Sequence, residues 1–426
     1  MFEFLIPLRR LAHRGLEVGL HIERRFEPFF RPQLDRLTRE PLAKLVQHLK
    51  NRNRPDLGLG LAEEKLFDWE EQALQDIIDE MREQMNLHFQ PGAYERGGNT
   101  KTHGLVRATF TVRPGLAENL RRGVFAVERS YPAYIRFAGP GPDVPEDIRD
   151  VGFGSMTVKL MDVPGEKLMD EEKFTQDWPA VVTPTFVTPN VRENAKLQYW
   201  STIDEPLWYF LNPKDLHFLD FLMQGLWNQT QYNPLGQRYY SCVPYLLGEG
   251  QAMLYSYLPL SKVGMDIPGV PFGRVPPNYL RDNMARTLRE TDVDFDMLVQ
   301  IQTDPHRMPI EDASIRWPED LSPWVPVARI HIPRQDFDNP EMMSLNRNLK
   351  FNPWHSLREH RPLGNQSRAR RRLYQELSNF RQIMNRVDHV EPTGTEFGSG
   401  KVAVDQSQMP EVRQRHEPGS PDAVDP

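Results

Sequence analysis

The most constraining feature of the sequence is a long region, residues 102–337, in which short apolar runs are broken by Pro and Gly. Around Tyr134, for example, Ile135 and Phe137 fall on one face of an extended chain, and Tyr134 and Arg136 fall on the other. Repeated runs of this kind predict an antiparallel sheet or barrel. We expect strands near residues 105–112, 134–138, 156–161, 180–187, 298–303 and 327–332, and a hairpin over 239–258 that turns at 248–250.

Proline is unusually frequent, with 38 among 426 residues, which is roughly 9% against a typical ~5%. Because Pro interrupts helices, this composition predicts long ordered loops and few long helices. Apolar residues at helical spacing still predict some helices. We expect them near residues 63–87, 193–226, 278–290 and 367–387.

The two ends of the chain differ in composition from the centre. Residues 1–54 contain twelve Lys or Arg against six Asp or Glu, a balance of +6, with apolar residues between the charges. This favours an amphipathic helix that docks on the protein body or on an anionic membrane surface. Residues 389–426 are rich in Gly, Pro, Ser and charge, which predicts a disordered tail. We therefore divide the chain into a basic extension (1–60), a central domain (61–388) and a tail (389–426).

Composition and missing motifs exclude several classes of protein. The net charge of −7 argues against a nucleic-acid binder, and no apolar run reaches the ~18 residues of a membrane span. A single cysteine, Cys242, excludes an intramolecular disulfide, a Cys-x-x-Cys zinc site and an iron–sulfur cluster, so we expect a reducing, cytoplasmic location. No phosphate loop, His-Glu-x-x-His, Gly-x-Ser-x-Gly or dinucleotide fingerprint occurs.

Three local features suggest chemistry. Arg370 and Tyr374 lie four residues apart, so on a helix they share a face. A cation close to a phenol favours the phenolate, which is the form that ligates a ferric haem iron. His103, just before a strand, has the chemistry of a general acid or base, and Arg136 that of a carboxylate binder. Taken singly, each also fits a basic helix face, a capping histidine or a surface arginine.

Taken together and in order, the motifs resemble the catalase superfamily, in particular its short branch of catalase-related allene oxide synthases and bacterial catalase-like proteins. The resemblance runs from about residue 71 to residue 386. Its motifs are Lys-Thr-His-Gly-Leu-Val-Arg at 101–107, Tyr-Ile-Arg-Phe at 134–137, Val-Lys-Leu-Met-Asp-Val-Pro-Gly-Glu-Lys at 158–167, Thr-Gln-Asp at 175–177, Pro-Arg-Gln-Asp-Phe at 333–337, Phe-Asn-Pro-Trp-His at 351–355, His-Arg-Pro-Leu-Gly at 360–364 and Arg-x-x-x-Tyr at 370–374.

The resemblance implies an α+β fold, with an eight-stranded antiparallel β-barrel and flanking helices around haem b and no flavodoxin-like C-terminal domain. It implies that Tyr374 ligates the iron and that Arg370 keeps Tyr374 a phenolate. By the same resemblance, His103 moves a peroxide proton and Arg136 pairs with a haem propionate. Members of the family assemble as multimers, so it also implies a homo-oligomer.

The chain departs from the catalase pattern at the positions around the distal histidine. Val182 stands where catalases have the asparagine that assists hydrogen-peroxide dismutation, and Ala138 replaces the serine that supports the histidine. Thr102 precedes His103, as in allene oxide synthases, and we expect its hydroxyl to hydrogen-bond the imidazole. A more apolar distal face favours a lipid or other organic hydroperoxide over hydrogen peroxide. The alternatives are a hydrogen-peroxide-dismutating catalase, a non-catalytic haem protein and a barrel that has lost haem.

Overall fold

The computed structural model describes residues 5–53, 58–141, 143–150 and 152–396. Five short 3₁₀ turns lie between the longer elements of these residues. The α-helices are α1 (Leu5–Asn53), α2 (Glu70–His88), α3 (Val191–Thr202), α4 (Leu207–Leu211), α5 (Phe218–Trp227), α6 (Tyr279–Glu290), α7 (Pro340–Asn348) and α8 (Asn365–Asn385). The strands are β1 (Thr102–Val112), β2 (Ser130–Ala138), β3 (Ser155–Leu160), β4 (Gln176–Val181), β5 (Tyr239–Tyr240), β6 (Tyr245–Leu246), β7 (Ala252–Pro259), β8 (Val293–Ile301) and β9 (Val325–Ile332).

The strands form one antiparallel sheet that closes on itself. Their order is β5-β4-β3-β2-β1-β9-β8-β7-β6, and β5 also pairs with β7 through Tyr239 and Tyr257. The closing pair leaves β6 as an appendage of β7, so the other eight strands form a closed barrel without free edges. The α+β fold with an eight-stranded antiparallel barrel, expected from the sequence, is confirmed.

Side chains alternate between the two sides of the barrel wall, as the period of two requires. Inside, Phe110, Ile135, Val158 and Trp178 are fully buried in one large apolar core. Each such side chain contributes about 1.5–3 kcal/mol through burial. On β2, Arg136 alternates with Ile135 and therefore lies outside the barrel, towards the helices. Because the inside of the barrel is filled with apolar side chains, polar functional groups of the strands lie on its outer side.

The predicted element boundaries were partly wrong, for reasons of local chemistry. Strand β4 ends at Val181 instead of reaching residue 187, and it is followed by a loop that contains Pro184. The predicted helix over 193–226 is three helices, with Asp204 in left-handed backbone at the first break. The hairpin turn at 248–250 is confirmed, and Gly248 and Gly250 both have positive φ there.

Helix α1 contradicts the expectation that a proline-rich chain has few long helices, because it continues through Pro28, Pro32 and Pro41. Pro28 lacks the N–H that would pair with the carbonyl of Arg24. Instead, the hydroxyl of Thr230 donates to that carbonyl at 2.8 Å. The protein body therefore supplies a hydrogen bond that the helix cannot make for itself. Helix α1 docks on the protein body, which was one of the two alternatives expected for residues 1–54.

Residues 389–396 belong to the segment predicted as a disordered tail, and the structure describes them against the barrel. The phenol of Tyr134 donates to Glu396 at 2.7 Å, and Glu391 accepts from the backbone N–H of Phe174 at 2.5 Å. Residues 397–426 of the predicted tail lie outside the described residues. Among the helices that the structure describes, none combines the length and apolar character needed to cross a membrane.

Candidate functional site

A large cavity lies outside the barrel, between its wall and the helices. Its volume is about 2740 Å³, and it is lined by α8, by the outer faces of β2 to β4, and by parts of α1 to α5. Small-ligand sites usually occupy ~300–1,000 Å³. This cavity therefore has room for a large cofactor together with a substrate.

Helix α8 presents one continuous face to the cavity. Arg370, Tyr374 and Arg381 all line it and follow one another at intervals of four and seven residues, which is the helical repeat. Leu373 and Leu377 follow the same repeat and also line the cavity, and their cluster with apolar residues of α2 anchors the helix. The structure thus places Tyr374 and Arg370 on one wall, as their spacing predicted.

Arg370 is enclosed by aromatic groups rather than by carboxylates. Its guanidinium lies over the ring of Phe186, 5.1 Å from the ring centre. Burial opposes the charge of Arg370, but the phenols of Tyr374 and Tyr245 and the thiol of Cys242 outweigh it and raise the pKa of the arginine. The environment therefore keeps a fixed cation beside Tyr374.

A cluster of four arginines forms a second wall of the cavity. These are Arg96, Arg136, Arg347 and Arg381, which we call the arginine cluster. The guanidinium of Arg347 reaches Glu95 at 3.1 Å, and Glu95 is the carboxylate that offsets the other three. Burial lowers the pKa of Arg136 to about 9 and that of Arg381 to about 10. Both stay charged at neutral pH, so the cluster carries an excess of positive charge.

Two donors of the arginine cluster remain unused by the protein. Nη1 of Arg96 and Nη1 of Arg381 are buried and have no hydrogen-bond partner among the described residues. Their Nη2 atoms both donate to the carbonyl of Leu349, at 2.7 and 3.0 Å, which fixes the two planes. A buried charged donor without an acceptor is costly, so the cluster suits an anionic ligand such as a carboxylate.

Asn346 connects Arg136 to Thr102. Its side-chain oxygen accepts from Nε of Arg136 at 3.1 Å, and its amide donates to the Thr102 hydroxyl at 2.6 Å. The expectation that this hydroxyl bonds the His103 imidazole was therefore wrong, because Asn346 holds it and neither ring nitrogen of His103 has a hydrogen-bond partner among the described residues. Thr102 itself lines the cavity.

His103 lies behind the cavity wall. The register of β1 shifts between Thr102 and Gly104, and a bulge of this kind re-aims the side chain inside it. The imidazole faces a small void of about 10 Å³ bordered by Asp147 and Asp150, with Nδ1 at 3.9 Å from Asp147. Burial, together with the charges of Lys101 and Arg281, lowers the pKa of His103 well below its usual range. His103 is thus neutral, and the cavity-lining set does not include it.

Val182 and Ala138 are likewise set back from the cavity. Val182 is buried in the barrel core, and its neighbour Val181 lines the cavity instead. Ala138 pairs with Ser155, whose hydroxyl donates to the Ala138 carbonyl at 3.2 Å. The structure therefore brings together four of the residues named from the sequence, Thr102, Arg136, Arg370 and Tyr374, and separates His103 and Val182 from them.

Two clusters have the spacing of metal ligands, but ammonium groups accompany both. Glu172, Asp177 and His355 are fully buried, and Lys159 contacts both carboxylates. The more exposed set of Glu193, Asp215 and His217 surrounds Lys196 in the same way. Salt bridges thus account for both clusters without a metal ion.

The pair Asp147 and Asp150 makes stability depend on pH. Burial and the charge of Asp147 raise the pKa of Asp150 to about 7, against the weaker opposing effects of Arg24 and Lys101. The folded protein therefore holds a proton that the unfolded chain releases above pH ~4. The contribution of Asp150 to stability is full below pH ~4 and is lost as the pH rises through about 7, a change of about 4 kcal/mol.

We expect the unfolding free energy of Asp150→Asn to rise relative to that of the wild type by about 3 kcal/mol between pH 4.5 and pH 7.5. The neutral amide keeps the shape of the carboxylic acid and cannot titrate. Chemical denaturation at both pH values measures the difference in unfolding free energy. The exposed Asp338→Asn is the control, and a constant difference between Asp150→Asn and wild type would contradict the assignment.

Several residues of the site were missed in the sequence. Arg381 carried a usable signal, because it lies seven residues after Tyr374 on the same helix. Arg96 and Arg347 carried none, since each comes from a different part of the chain and only the fold joins them to Arg136. The role of α1 as a wall of the cavity, through residues such as His21 and Arg24, was also invisible.

Comparison with known proteins supports the fold but not a closer relationship. No family model matches the chain, and no curated protein does. Among solved structures, it is similar to a fungal catalase, with a TM-score of 0.51 and 13% identity over 79% of this chain and 74% of that one. It is also similar to catalase A from Saccharomyces cerevisiae, with a TM-score of 0.53 and 12% identity over 87% and 82%. The chain has the catalase fold, which confirms the resemblance at that level.

Proposed function

We propose that this chain is a haem-dependent enzyme that acts on peroxides, with a lipid or other organic hydroperoxide as substrate. One observation carries the proposal: a single cavity is lined by a tyrosine beside a fixed arginine and by an arginine cluster with unused buried donors. The first pair suits a haem iron and the cluster suits the haem propionates. The catalase fold is in keeping with both.

The residues fit haem in charge as well as in position. Tyr374 and Arg381 are seven residues apart on α8, which corresponds to about 10 Å along the axis. Tyr374 would hold the iron, and Arg96, Arg136 and Arg381 would pair with the propionates. Two carboxylates would supply the negative charge that Glu95 alone does not provide. Haem would contribute ferric-iron chemistry at the peroxide O–O bond.

The surrounding residues determine what reaches that bond. Phe153, Val181, Phe186, Phe210 and Phe221 give the cavity apolar walls, which suit a hydrocarbon chain better than hydrogen peroxide. Thr102 is held by Asn346 at the cavity wall, where its hydroxyl can orient a polar substrate group. A proton role for His103 stays a prediction, and from behind the wall it would act through the water-sized void beside Asp150.

Binding is tested by titrating the purified protein with haemin and with haemin dimethyl ester, whose propionates are blocked. We expect the ester to bind at least about tenfold more weakly than haemin. The double variant Arg136→Met and Arg381→Met is expected to lower affinity for haemin and to remove its advantage over the ester. Arg334→Met, on the exposed surface, is the control. Equal binding of both compounds by the wild type would contradict the role of the arginine cluster.

Turnover by the haem-loaded protein separates the three functions. Faster consumption of a fatty-acid hydroperoxide than of hydrogen peroxide supports the proposal. Rapid oxygen evolution from hydrogen peroxide instead identifies a dismutating catalase. Stable haem binding with no reaction towards either compound identifies a non-catalytic haem protein. The lack of reaction would then follow from the positions of His103 and Val182, which do not line the cavity.

A further inference from the structure

The outer side of α1 exposes large apolar side chains in a regular row. Leu11, Val18, Ile22 and Phe29 have exposed fractions of 68%, 57%, 56% and 59%. Their intervals of seven, four and seven residues keep them within about 40° of one another around a helix of 3.6 residues per turn. We call these four residues the outer row.

The outer row is exposed along its length, and the body approaches it at one place between Ile22 and Phe29, where Arg25 donates to the carbonyl of Pro271 at 2.8 Å. The buried residues of the same stretch are His13, Arg24 and Glu27, and the helical repeat puts them on the opposite side. Glu27 accepts from the backbone N–H of Thr230 at 2.6 Å, which fixes that side to the body. A regular row of exposed apolar side chains rimmed by polar residues is typical of a surface that meets a partner.

The exposed charges of α1 identify the chemistry of that partner. The exposed cations are Arg10, Arg14, Arg36, Lys44 and Arg52, of which Arg10 pairs with Glu205 of the body at 3.5 Å. Most acidic residues of the helix are buried or form salt bridges with arginines of the same helix. Glu27 contacts Arg31 at 2.8 Å, and Asp35 contacts Arg31 at 2.5 Å. Glu40, which is exposed, pairs with Arg316 of the body. The outward charge of α1 is therefore positive, although the whole chain carries −7.

We propose that the outer row of α1 docks on an anionic membrane surface. An amphipathic helix with basic flanks lies in the interface, with its apolar side among the acyl chains and its cations at the phosphates. A second copy of the chain fits less well, because a two-fold contact would bring the same cationic flanks together. The anionic lipid instead complements both the apolar row and its charged rim.

The inner side of α1 forms part of the cavity wall, so docking of its outer side would bring the cavity close to the membrane. Leu20, His21 and Arg24 line the cavity, so the helix separates the cavity from the surface that would meet lipid. A lipid hydroperoxide would then lie close to the cavity that contains Tyr374. This consequence rests on the proposed function, whereas the docking itself does not.

The test is co-sedimentation of the full chain with vesicles, without peroxide, so that its outcome is independent of the enzyme activity. We expect binding to vesicles that contain phosphatidylglycerol, weak binding to phosphatidylcholine alone, and release by added salt. Changing the outer row to serine, by L11S, V18S, I22S and F29S, should lower partition into the anionic vesicles at least about tenfold. A second variant, R36E and K44E, changes two exposed cations that do not line the cavity, and it should also weaken binding while leaving the row intact.

The control variant removes equally exposed apolar residues from elsewhere, by L66S, V127S, F174S and I383S, and should bind like the wild type. Circular dichroism of each variant verifies folding. Two results would overturn the proposal. One is equal vesicle binding by the outer-row variant and the wild type. The other is a wild type that does not bind vesicles and sediments as a dimer, together with an outer-row variant that sediments as a monomer. That result would make the outer row a contact between two copies of the chain.

Discussion

Tyr374→Phe is expected to bind haem at least about tenfold more weakly than the wild type and to lose the absorption of a phenolate bound to ferric iron. Phenylalanine preserves the ring and removes only the oxygen that would hold the metal. The arginine cluster stays intact in this variant, so some haem should still bind through its propionates. Titration followed by visible absorption measures both effects.

The control for this prediction is Tyr199→Phe, because Tyr199 lies on α3 with about half of its surface exposed. It should leave the spectrum and the affinity unchanged. An unaltered spectrum in Tyr374→Phe would mean that another residue ligates the iron. Loss of haem from both variants would point to damage of the fold, which the melting temperature would reveal.

Arg370 is expected to act on haem through Tyr374 and to serve as a positioning residue. Arg370→Met should keep haem but weaken the phenolate absorption, since it removes the cation beside the phenol. Arg370→Lys keeps a cation and should restore part of that absorption, which a purely packing role for Arg370 over Phe186 would not predict.

The second large effect is expected from Lys159→Met, which should lower the unfolding free energy by about 3–5 kcal/mol. The ammonium of Lys159 is fully buried on β3 and lies 2.8 Å from Asp177 on β4, and it also contacts Glu172. Both carboxylates also contact His355, in the loop between α7 and α8, at 3.0 Å for Asp177 and 3.2 Å for Glu172. Because His355 supplies the other positive charge, removing Lys159 leaves the two carboxylates with one buried negative charge in excess.

Chemical denaturation measures this loss, and the exposed Lys262→Met is the control, with a change of at most about 0.5 kcal/mol. The double variant Lys159→Met and Asp177→Asn removes one charge of each sign and should recover part of the stability. If Lys159→Met matched the control, the cluster would not contribute to the folded state. Equal losses in the single and double variants would mean that packing and not charge is responsible.

The same cluster predicts a loss of stability in alkali. Although burial opposes it, the carboxylates of Asp177, Glu171 and Glu172 raise the pKa of His355 to about 10. The folded protein thus holds a proton on His355 that the unfolded chain releases near pH ~6.5. The stabilisation is full below that pH and is lost as the pH rises through about 10. His355→Gln should remove this dependence, so its deficit relative to the wild type should shrink between pH 7 and 10.

The barrel and one wall of the site could be predicted because both depend on local periodicity. Alternation of Tyr134, Ile135 and Arg136 is enough to assign a strand and its two faces. The four-residue interval between Arg370 and Tyr374 is enough to put both on one side of α8. These relations hold within a few residues of chain, so the sequence contains them.

The rest was decided by contacts between distant segments. The arginine cluster draws one residue each from the segment before β1, from β2, from α7 and from α8, and the direction of His103 follows from a one-residue shift between β1 and β2. At Pro28 in helix α1, the carbonyl of Arg24 that lacks its helical partner accepts instead from Thr230, far along the chain. The sequence by itself determined which chemical groups were available and which strands and helices carried them. Only the tertiary structure decided which groups meet, because register, bulges and hydrogen bonds between segments leave no periodic trace in the chain.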